Sequence, residues 1–538
     1  MEIWSLRGKK ILVVDDLPDM RTMLRTLLVS LGAEDIKTAK DGDQAMTMME
    51  TNKFDIVLCD YNLGDGKDGQ QVLEEVRHRG LLPYAALFVM ITAETSTPMV
   101  MGAAEYSPDD YISKPIPKAT LQTRLRKLLD KKERLRPVLH AMQQRSYTTA
   151  LTQCDILIEQ DPSNRFDLLR LKGELLLTMG ECEKAKALYE ALLEVREVPW
   201  AMLGLGKTLY YLQQYDIAAD WLRRLIDSHP MVIAAYDWLS MVLEKQYDYK
   251  GAQEVLAKAL ERSPKSILRQ RRHGEMAYRN EDLNVAERAF KLAMRVGKGS
   301  CFRGPAEFAG LARTLVKKDA AVEAVKLVDT MTREFRDDPA AQLQTSLVDS
   351  VVQQALGNAE LSQQAAGRAI ELFQRHPDKV GSDTAMDLAE VCFHQGNADA
   401  ARDLLRHALR NQHEDTVTQK RVREMFNEVG LAEEGQALIE ATAQEVLGIN
   451  NRGVRLAQEG KLEESIRLFE QAATAMPENM TINLNAAQSL VMFMRERGVT
   501  QSYLNKAEIY LNRVQAVDVA NTKYQKLKEL LSHMVASQ

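Results

Sequence analysis

Two hydrophobic rhythms divide the chain. As far as about residue 117, short apolar runs alternate with stretches whose apolar positions recur every three or four residues. Lys10-Ile11-Leu12-Val13-Val14 reads as a buried strand that ends in Asp15-Asp16. Pro18 opens a helix through Ser30, with Met20, Leu24, Leu27 and Leu28 on its apolar side, and Gly32 stops it. A strand at Ile36–Ala39 follows, then a helix to Glu50 with Asp43 as its N-cap. The run Phe54–Cys59 is a third strand, closed by Asp60 and the glycine-rich stretch Gly64–Gly69. A helix over Gln70–Arg79, a strand over Ala86–Ile91, a helix from Pro98 to Glu105, a fifth strand at Tyr111–Ile112 and a helix from Pro117 complete the pattern. Strands alternating with helical stretches predict an α/β fold, a doubly wound parallel five-stranded sheet with helices on both faces.

The last helix runs on through Arg124–Arg136 without glycine or serine, as a stiff linker, and Pro137 marks a boundary. Beyond it the rhythm is helical throughout and has a period. Alanines recur at Ala150, Ala185, Ala218, Ala252 and Ala286, spaced 35, 33, 34 and 34. Prolines recur at Pro162, Pro230 and Pro264, and glycines at Gly173, Gly206 and Gly274. Two antiparallel helices per unit account for this: small residues admit close packing, and proline punctuates the turn between units.

Composition narrows the class. The 538 residues are 45% hydrophobic and 27% charged, with net charge −6, so no global charge points to nucleic acid. The five cysteines, Cys59, Cys154, Cys182, Cys301 and Cys392, have no metal-type spacing and read as buried residues in a reducing compartment. No apolar run approaches a membrane span and no signal peptide is present, so a cytoplasmic protein is expected.

The chemistry gathers at strand ends. Asp15, Asp16 and Asp60 fall at C-terminal ends, as do Thr92 after Ile91 and Lys114 after Ile112. In open parallel sheets that edge binds ligands. Three carboxylates repel one another unless a cation sits among them, and a hard divalent ion, Mg²⁺ for preference, fits. Lys114 supplies a compact positive charge for a phosphoryl oxygen, and Thr92 a hydroxyl donor. Asp60 is read as the group that takes up phosphoryl.

These residues resemble those of a bacterial response-regulator receiver domain, a CheY-like, flavodoxin-like unit. The match is carried by Asp15-Asp16, Asp60, Thr92 in Ile-Thr-Ala, and Lys114 in Asp109-Asp110-Tyr111-Ile112-Ser113-Lys114-Pro115. The resemblance implies that Asp16 and Asp60 ligate Mg²⁺ directly, with the Asn62 backbone carbonyl, and that Asp15 holds it through water. It also implies that Lys114 contacts phosphoryl oxygen, that Thr92 moves to hydrogen-bond it, and that Tyr111 is the switch aromatic. Asn62 and Glu94 would flank the path of the hydrolytic water, a combination found in receivers that turn over quickly. Two departures stand out. Leu63–Gly69 replaces a shorter Met-Pro loop, which suggests mobility, and Tyr106-Ser107-Pro108 replaces Gly-Ala before Asp109.

The periodic region resembles tetratricopeptide (TPR) repeats, an all-α superhelical solenoid. Its clearest copy runs from Asn451-Arg452-Gly453 through Gly460, Ser465, Phe469 and Ala472 to Pro477. Weaker copies fill 305–339, 340–377 and 382–410, the segment 411–445 is helical without a clear repeat, and a last pair over 480–535 carries Ala507 at the equivalent position. The expected organisation is a receiver over 1–130, a linker over 131–137, repeats over 138–300, degenerate repeats over 301–445 and TPR-like repeats over 446–538.

The function expected is a phosphorylation-dependent two-component regulator. A sensor histidine kinase or phosphotransfer protein phosphorylates Asp60, and the TPR groove binds a protein target. The receiver would catalyse only its own phosphorylation and dephosphorylation. The alternatives are a nucleic-acid-binding regulator using Arg262, Lys265, Arg269, Arg271 and Arg272, or a phosphorylation-independent scaffold. A solvated face paired with Glu261 and Glu275 is the preferred reading of that basic cluster. His229, His273, His394, His407 and His413 lack metal spacing and read as surface or packing residues. The kinase, the target and a homodimeric active form stay open.

Overall fold

The computed structural model describes residues 4–93, 108–160, 164–519 and 521–536. Contacts divide the chain into two compact units, residues 1–176 with 182–303 and residues 177–181 with 304–538.

The first unit begins with five strands, β1 (Lys10–Val14), β2 (Asp35–Ala39), β3 (Ile56–Asp60), β4 (Leu87–Thr92) and β5 (Asp110–Ser113), in the order β2-β1-β3-β4-β5. Every described pairing is parallel. Side chains of successive strand residues point to opposite faces, so each central strand feeds two cores. Ile11, Val13, Ile56, Leu58, Val89 and Ile91 pack with Leu24 and Leu28 of α1 (Pro18–Ser30) and Leu121 and Leu125 of α4 (Lys118–Arg134). Leu12, Val14, Val57, Cys59, Phe88 and Met90 pack on the other face with α2 (Gly42–Thr51) and α3 (Gly69–Arg79). The strand order reverses between β1 and β3, and that switch point opens a crevice at their C-terminal ends.

The boundaries differ from the sequence reading in three places. The cap of α2 is Asp41, not Asp43: Asp41 is extended (φ −152°, ψ 172°) and its carboxylate accepts the Gln44 N–H at 2.8 Å. Asp43 lies within the first turn, where a negative charge favours the helix dipole. The third strand starts at Ile56 and includes Asp60, which pairs in register with Ile91. The linker helix ends at Arg134, and Pro137 enters the first turn of α5 (Arg136–Gln143), where its missing N–H costs nothing. The expected helix from Pro98 to Glu105 lies outside the described residues.

The rest of this unit is paired helices. After α5 come α6 (Tyr147–Gln160), α7 (Arg165–Met179), α8 (Cys182–Val195), α9 (Pro199–Tyr211), α10 (Tyr215–Ser228), α11 (Ile233–Lys245), α12 (Tyr249–Arg262), α13 (Ile267–Arg279) and α14 (Leu283–Val296). The periodic alanines Ala150, Ala185, Ala218, Ala252 and Ala286 are all fully buried. Pro230 and Pro264 lie in turns between pairs. A signal missed in the sequence is the left-handed residue in each turn within a pair: Arg145, Gly180, Gln213, Tyr247 and Glu281, with φ between 57° and 78°. The period is visible there even where glycine is absent.

The second unit continues as α15 (Pro305–Lys317), α16 (Ala321–Glu334), α17 (Pro339–Ala355), α18 (Ala359–Arg375), α19 (Ser382–His394), α20 (Ala398–Asn411), α21 (Thr416–Glu428), α22 (Ala432–Gln458), α23 (Leu462–Ala475), α24 (Met480–Arg497), α25 (Gln501–Val517) and α26 (Thr522–Ala536). The segment without a clear repeat is resolved by α22. This one helix of 27 residues packs against α21 in its first half. In its second half Gly453 lies under Phe469 of α23. Ala507 is fully buried, as its equivalence requires.

Candidate functional site

Asp15 follows β1 and is fully buried. Its Oδ1 accepts the Leu17 N–H at 2.9 Å, and the Arg21 guanidinium donates to the carbonyls of Asp15 (2.6 Å) and Asp16 (3.0 Å). These bonds fix the turn that presents both acids. Asp60 ends β3 and is 6% exposed. Carboxylate oxygens of Asp15, Asp16 and Asp60 lie within 4.8 Å of one another, close to the span of oxygens around one small cation (~4 Å for trans ligands at ~2.1 Å). Lys114 reaches in from the end of β5, its Nζ 2.7 Å from Asp60 Oδ2 and 2.9 Å from Asp15 Oδ2. The Lys114 N–H donates to the Thr92 carbonyl at 2.7 Å, tying β5 to the end of β4. Thr92 is buried there, and Tyr111 is half-buried opposite Met90 in the β4–β5 register.

Burial and the adjacent Asp15 push the Asp60 carboxyl up, and they outweigh the hydrogen bond and charge of Lys114, which pull it down. For Lys114, burial alone would favour loss of its proton, but the bonds to Asp60 and Asp15 hold it above its ordinary value and keep it charged. Burial drives the Cys59 thiol well up, so it is no nucleophile. Three acids therefore face one ammonium. That imbalance suits a hard divalent cation with oxygen ligands.

The sheet thus brings Asp15, Asp16, Asp60, Thr92 and Lys114 to one edge. Asn62 is exposed two residues beyond Asp60, and Glu94 lies outside the described residues. The loop after Asp60 closes back on the strand. The Gly69 N–H donates to the Tyr61 carbonyl at 2.8 Å. A Cβ at Gly69 would lie 2.1 Å from the Asp60 carbonyl oxygen, so only glycine fits. A capping box follows, with Asp68 accepting the Gln71 N–H (2.9 Å) and the Gln71 side chain accepting the Asp68 N–H (3.1 Å). The spacing Asp-x-x-Gln before an apolar run carried that signal. The glycine-rich loop is therefore anchored at its far end.

Helical residues of the same unit also touch this loop. Lys265, between α12 and α13, lies 4.9 Å above the buried Tyr61 ring and 3.4 Å from Asp68 Oδ2. No local sequence signal marks that contact. The remaining basic cluster is engaged within the fold, and not by the acids expected for it. Arg269 binds Asp237 in two bonds of 2.7 Å, Arg272 pairs with Glu244 at 2.6 Å, and Arg271 donates to the Phe302 carbonyl at 2.7 Å. The acids lie one helix pair back, where the next turn of the stack brings them into reach. His407 is buried with Nε2 2.9 Å from the Val380 carbonyl, and His413 Nδ1 lies 3.2 Å from the Asn479 amide. Both are packing residues. Among the described residues no helix is long and apolar enough to cross a membrane.

Residues 11–126 match the response regulator receiver domain family, and residues 170–230 and 203–267 match the tetratricopeptide repeat. Chemotaxis protein CheY-3 of Vibrio cholerae serotype O1 is 34% identical over 131 residues, which are 24% of this chain and 99% of that protein. Chemotaxis protein CheY of Pseudomonas aeruginosa is 31% identical over 122 residues, 23% of this chain and 97% of that protein. The crystallised CheY4 of Vibrio cholerae is 26% identical, covering 22% of this chain and 98% of that one, with a TM-score of 0.21. The chain belongs to the response regulator family, with a CheY-like receiver domain at its N-terminus followed by tetratricopeptide repeats.

Proposed function

We propose that Asp60 accepts a phosphoryl group from a sensor histidine kinase or phosphotransfer protein, and that the repeats convey its presence to a protein target. One observation carries this reading: Asp60 is flanked by two further carboxylates and bridged by Lys114 at 2.7 Å, at the switch point of a parallel sheet. An Asp60 oxygen attacks phosphorus in line. The P–N bond of the donor phosphohistidine breaks as the P–O bond forms, and the imidazole leaves and takes a proton from solvent. Asp16 and Asp60, with the Asn62 carbonyl, would hold Mg²⁺ directly and Asp15 through water; when bound, the ion supplies charge that offsets the phosphoryl oxygens. The Lys114 ammonium follows a phosphoryl oxygen, and the Thr92 hydroxyl closes on another, with the Tyr111 ring turning inward. Asn62 and Glu94 orient the water that later hydrolyses the acyl phosphate.

The chain acts as a regulator, and its own phosphorylation and dephosphorylation are the chemistry assigned. Its five cysteines are all unpaired, which supports a cytoplasmic setting. Internal pairing of Arg269, Arg271 and Arg272 disfavours nucleic acid as the target. The test is labelling by a small phosphodonor with Mg²⁺. Asp60→Asn should abolish it and Asp16→Ala should weaken labelling and Mg²⁺ binding together. Labelling of Asp60→Asn at wild-type stoichiometry would sink the assignment. Asn62→Met should lengthen the phosphoryl lifetime, by roughly fivefold for each ~1 kcal/mol added to the barrier.

A further inference from the structure

The loop that follows Asp60 is held by two residues, and the repeat helices grip both. Asp68 and Gln71 form the capping box of α3, yet each has a second partner far along the chain. Asp68 Oδ2 faces Lys265 at 3.4 Å, while its Oδ1 serves the cap. The Gln71 amide donates to the carbonyls of Val296 (3.0 Å) and Lys298 (3.2 Å), while its carbonyl oxygen serves the cap. Two further contacts extend the seam: Ser300 Oγ lies 3.0 Å from Glu74 Oε2, and the Phe302 ring meets His78 edge-on at 4.8 Å.

An exposed ion pair such as Lys265–Asp68 contributes little by itself. What matters is where the contact acts. The Asp60 backbone touches Gly69 with no room for a Cβ, and Gly69 follows Asp68 directly. A shift of Asp60 therefore moves the cap, and the cap carries the bonds to Lys265, Val296 and Lys298. A cavity of about 210 Å³, lined in part by Gly66, Asp68, Glu74, Lys265 and Arg295, leaves the seam room to rearrange.

We propose that Lys265 is a positioning residue for the chemistry at Asp60: with Gln71, it holds the Tyr61–Gly69 loop in the arrangement that receives phosphoryl, and so couples that site to α13 and α14. The proposal rests on the reading of Asp60 as acceptor. Coupling of this kind is reciprocal, so the phosphoryl group must tighten the seam by the factor that the seam tightens phosphoryl binding.

The experiment uses the full chain and beryllofluoride with Mg²⁺ as phosphoryl mimic, titrated by calorimetry. Lys265→Ala should weaken beryllofluoride binding by about fivefold, within the usual range of such couplings. Gln71→Leu, which changes no charge, should act in the same direction, and Lys265→Arg should restore binding. Amide exchange over 294–303 should slow when the mimic binds the wild type and respond less in Lys265→Ala. Wild-type affinity in both Lys265→Ala and Gln71→Leu overturns the proposal and leaves the acceptor reading intact, as does tighter binding in either. Failure of the wild type to bind the mimic, together with labelling of Asp60→Asn, overturns the acceptor reading and this proposal with it.

Discussion

Lys114 and Arg269 are both inward-facing cations paired with acids, one at the receiver's sheet edge and one inside the repeats. Arg269 is 3% exposed, binds Asp237 through two nitrogens and donates a further bond to the Ser263 carbonyl. Its charge is matched one to one, and its fork geometry is filled. Lys114 faces Asp15 and Asp60 with Asp16 alongside, so one ammonium meets three carboxylates. The first arrangement is complete and holds helices together. The second is unbalanced and calls for a partner that brings positive charge. A buried ion pair does not mark a site; an unmatched one at the open end of a sheet does.

That contrast can be broken from either side. Lys114→Ala should slow phosphodonor labelling by about 10²–10³-fold, the usual cost of one preorganised charge donor, with the helical signal unchanged. Loss of less than tenfold would mean that Lys114 only balances the acids. Arg269→Ala should do the opposite. It leaves Asp237 without its guanidinium and costs about 3 kcal/mol of stability, at the low end for buried pairs because Asp237 keeps some solvent. Labelling at saturating donor should hold within about twofold at a temperature where the variant is folded. A labelling defect as large as that of Lys114→Ala would erase the distinction.

How far the sequence shows this contrast depends on the range of the contacts involved. The sheet, its order of elements and the acids at its edge are local: apolar runs end in the residues that matter, and Asp15, Asp16, Asp60, Thr92 and Lys114 all converge as their strand positions require. The alanine period is local too. The partners of the basic cluster are not. Arg269 finds Asp237 and Lys265 finds Asp68 across 32 and 197 residues, and no window of sequence contains both ends. The long α22 was hidden for another reason. It serves two neighbours in one helix, so its apolar pattern fits neither repeat alone.

A smaller effect separates two glycines of that same helix. A Cβ at Gly453 would lie 2.4 Å from the Phe469 ring, while one at Gly448 would meet nothing within 4 Å. Helix propensity favours alanine over glycine by about 1 kcal/mol at both. Gly453→Ala should therefore lose about 1–3 kcal/mol to overpacking, and Gly448→Ala should gain up to about 1 kcal/mol. Thermal unfolding of the two variants settles it by sign. A stabilised Gly453→Ala would show that the helices yield easily, and that the small-residue period has no packing cause.

The smallest effect concerns titration in the repeats, where burial acts on a group that is already satisfied. His407 is 6% exposed, and its Nε2 donates to the Val380 carbonyl at 2.9 Å. The Phe373 ring meets it edge-on at 5.2 Å. Burial lowers its pKa from the ordinary 6.5, with Arg410 acting in the same sense and the Val380 bond and Glu478 opposing. His413, also lowered by burial, lies nearby on the Asn479 amide. Above the ordinary value His407 is neutral folded and unfolded, and stability is complete. As pH falls below it, the unfolded chain takes up a proton before the folded chain does, and stability is lost through the folded pKa. Each unit of depression is worth about 1.4 kcal/mol. His407→Gln keeps an amide donor for the carbonyl and removes the titration. Its unfolding midpoint should fall less than that of the wild type between pH 8 and pH 5, the remaining slope belonging to His413 and the other titrating groups. Equal slopes would mean that protonated His407 is tolerated in place, and that burial in the repeats is looser than at the Asp60 edge.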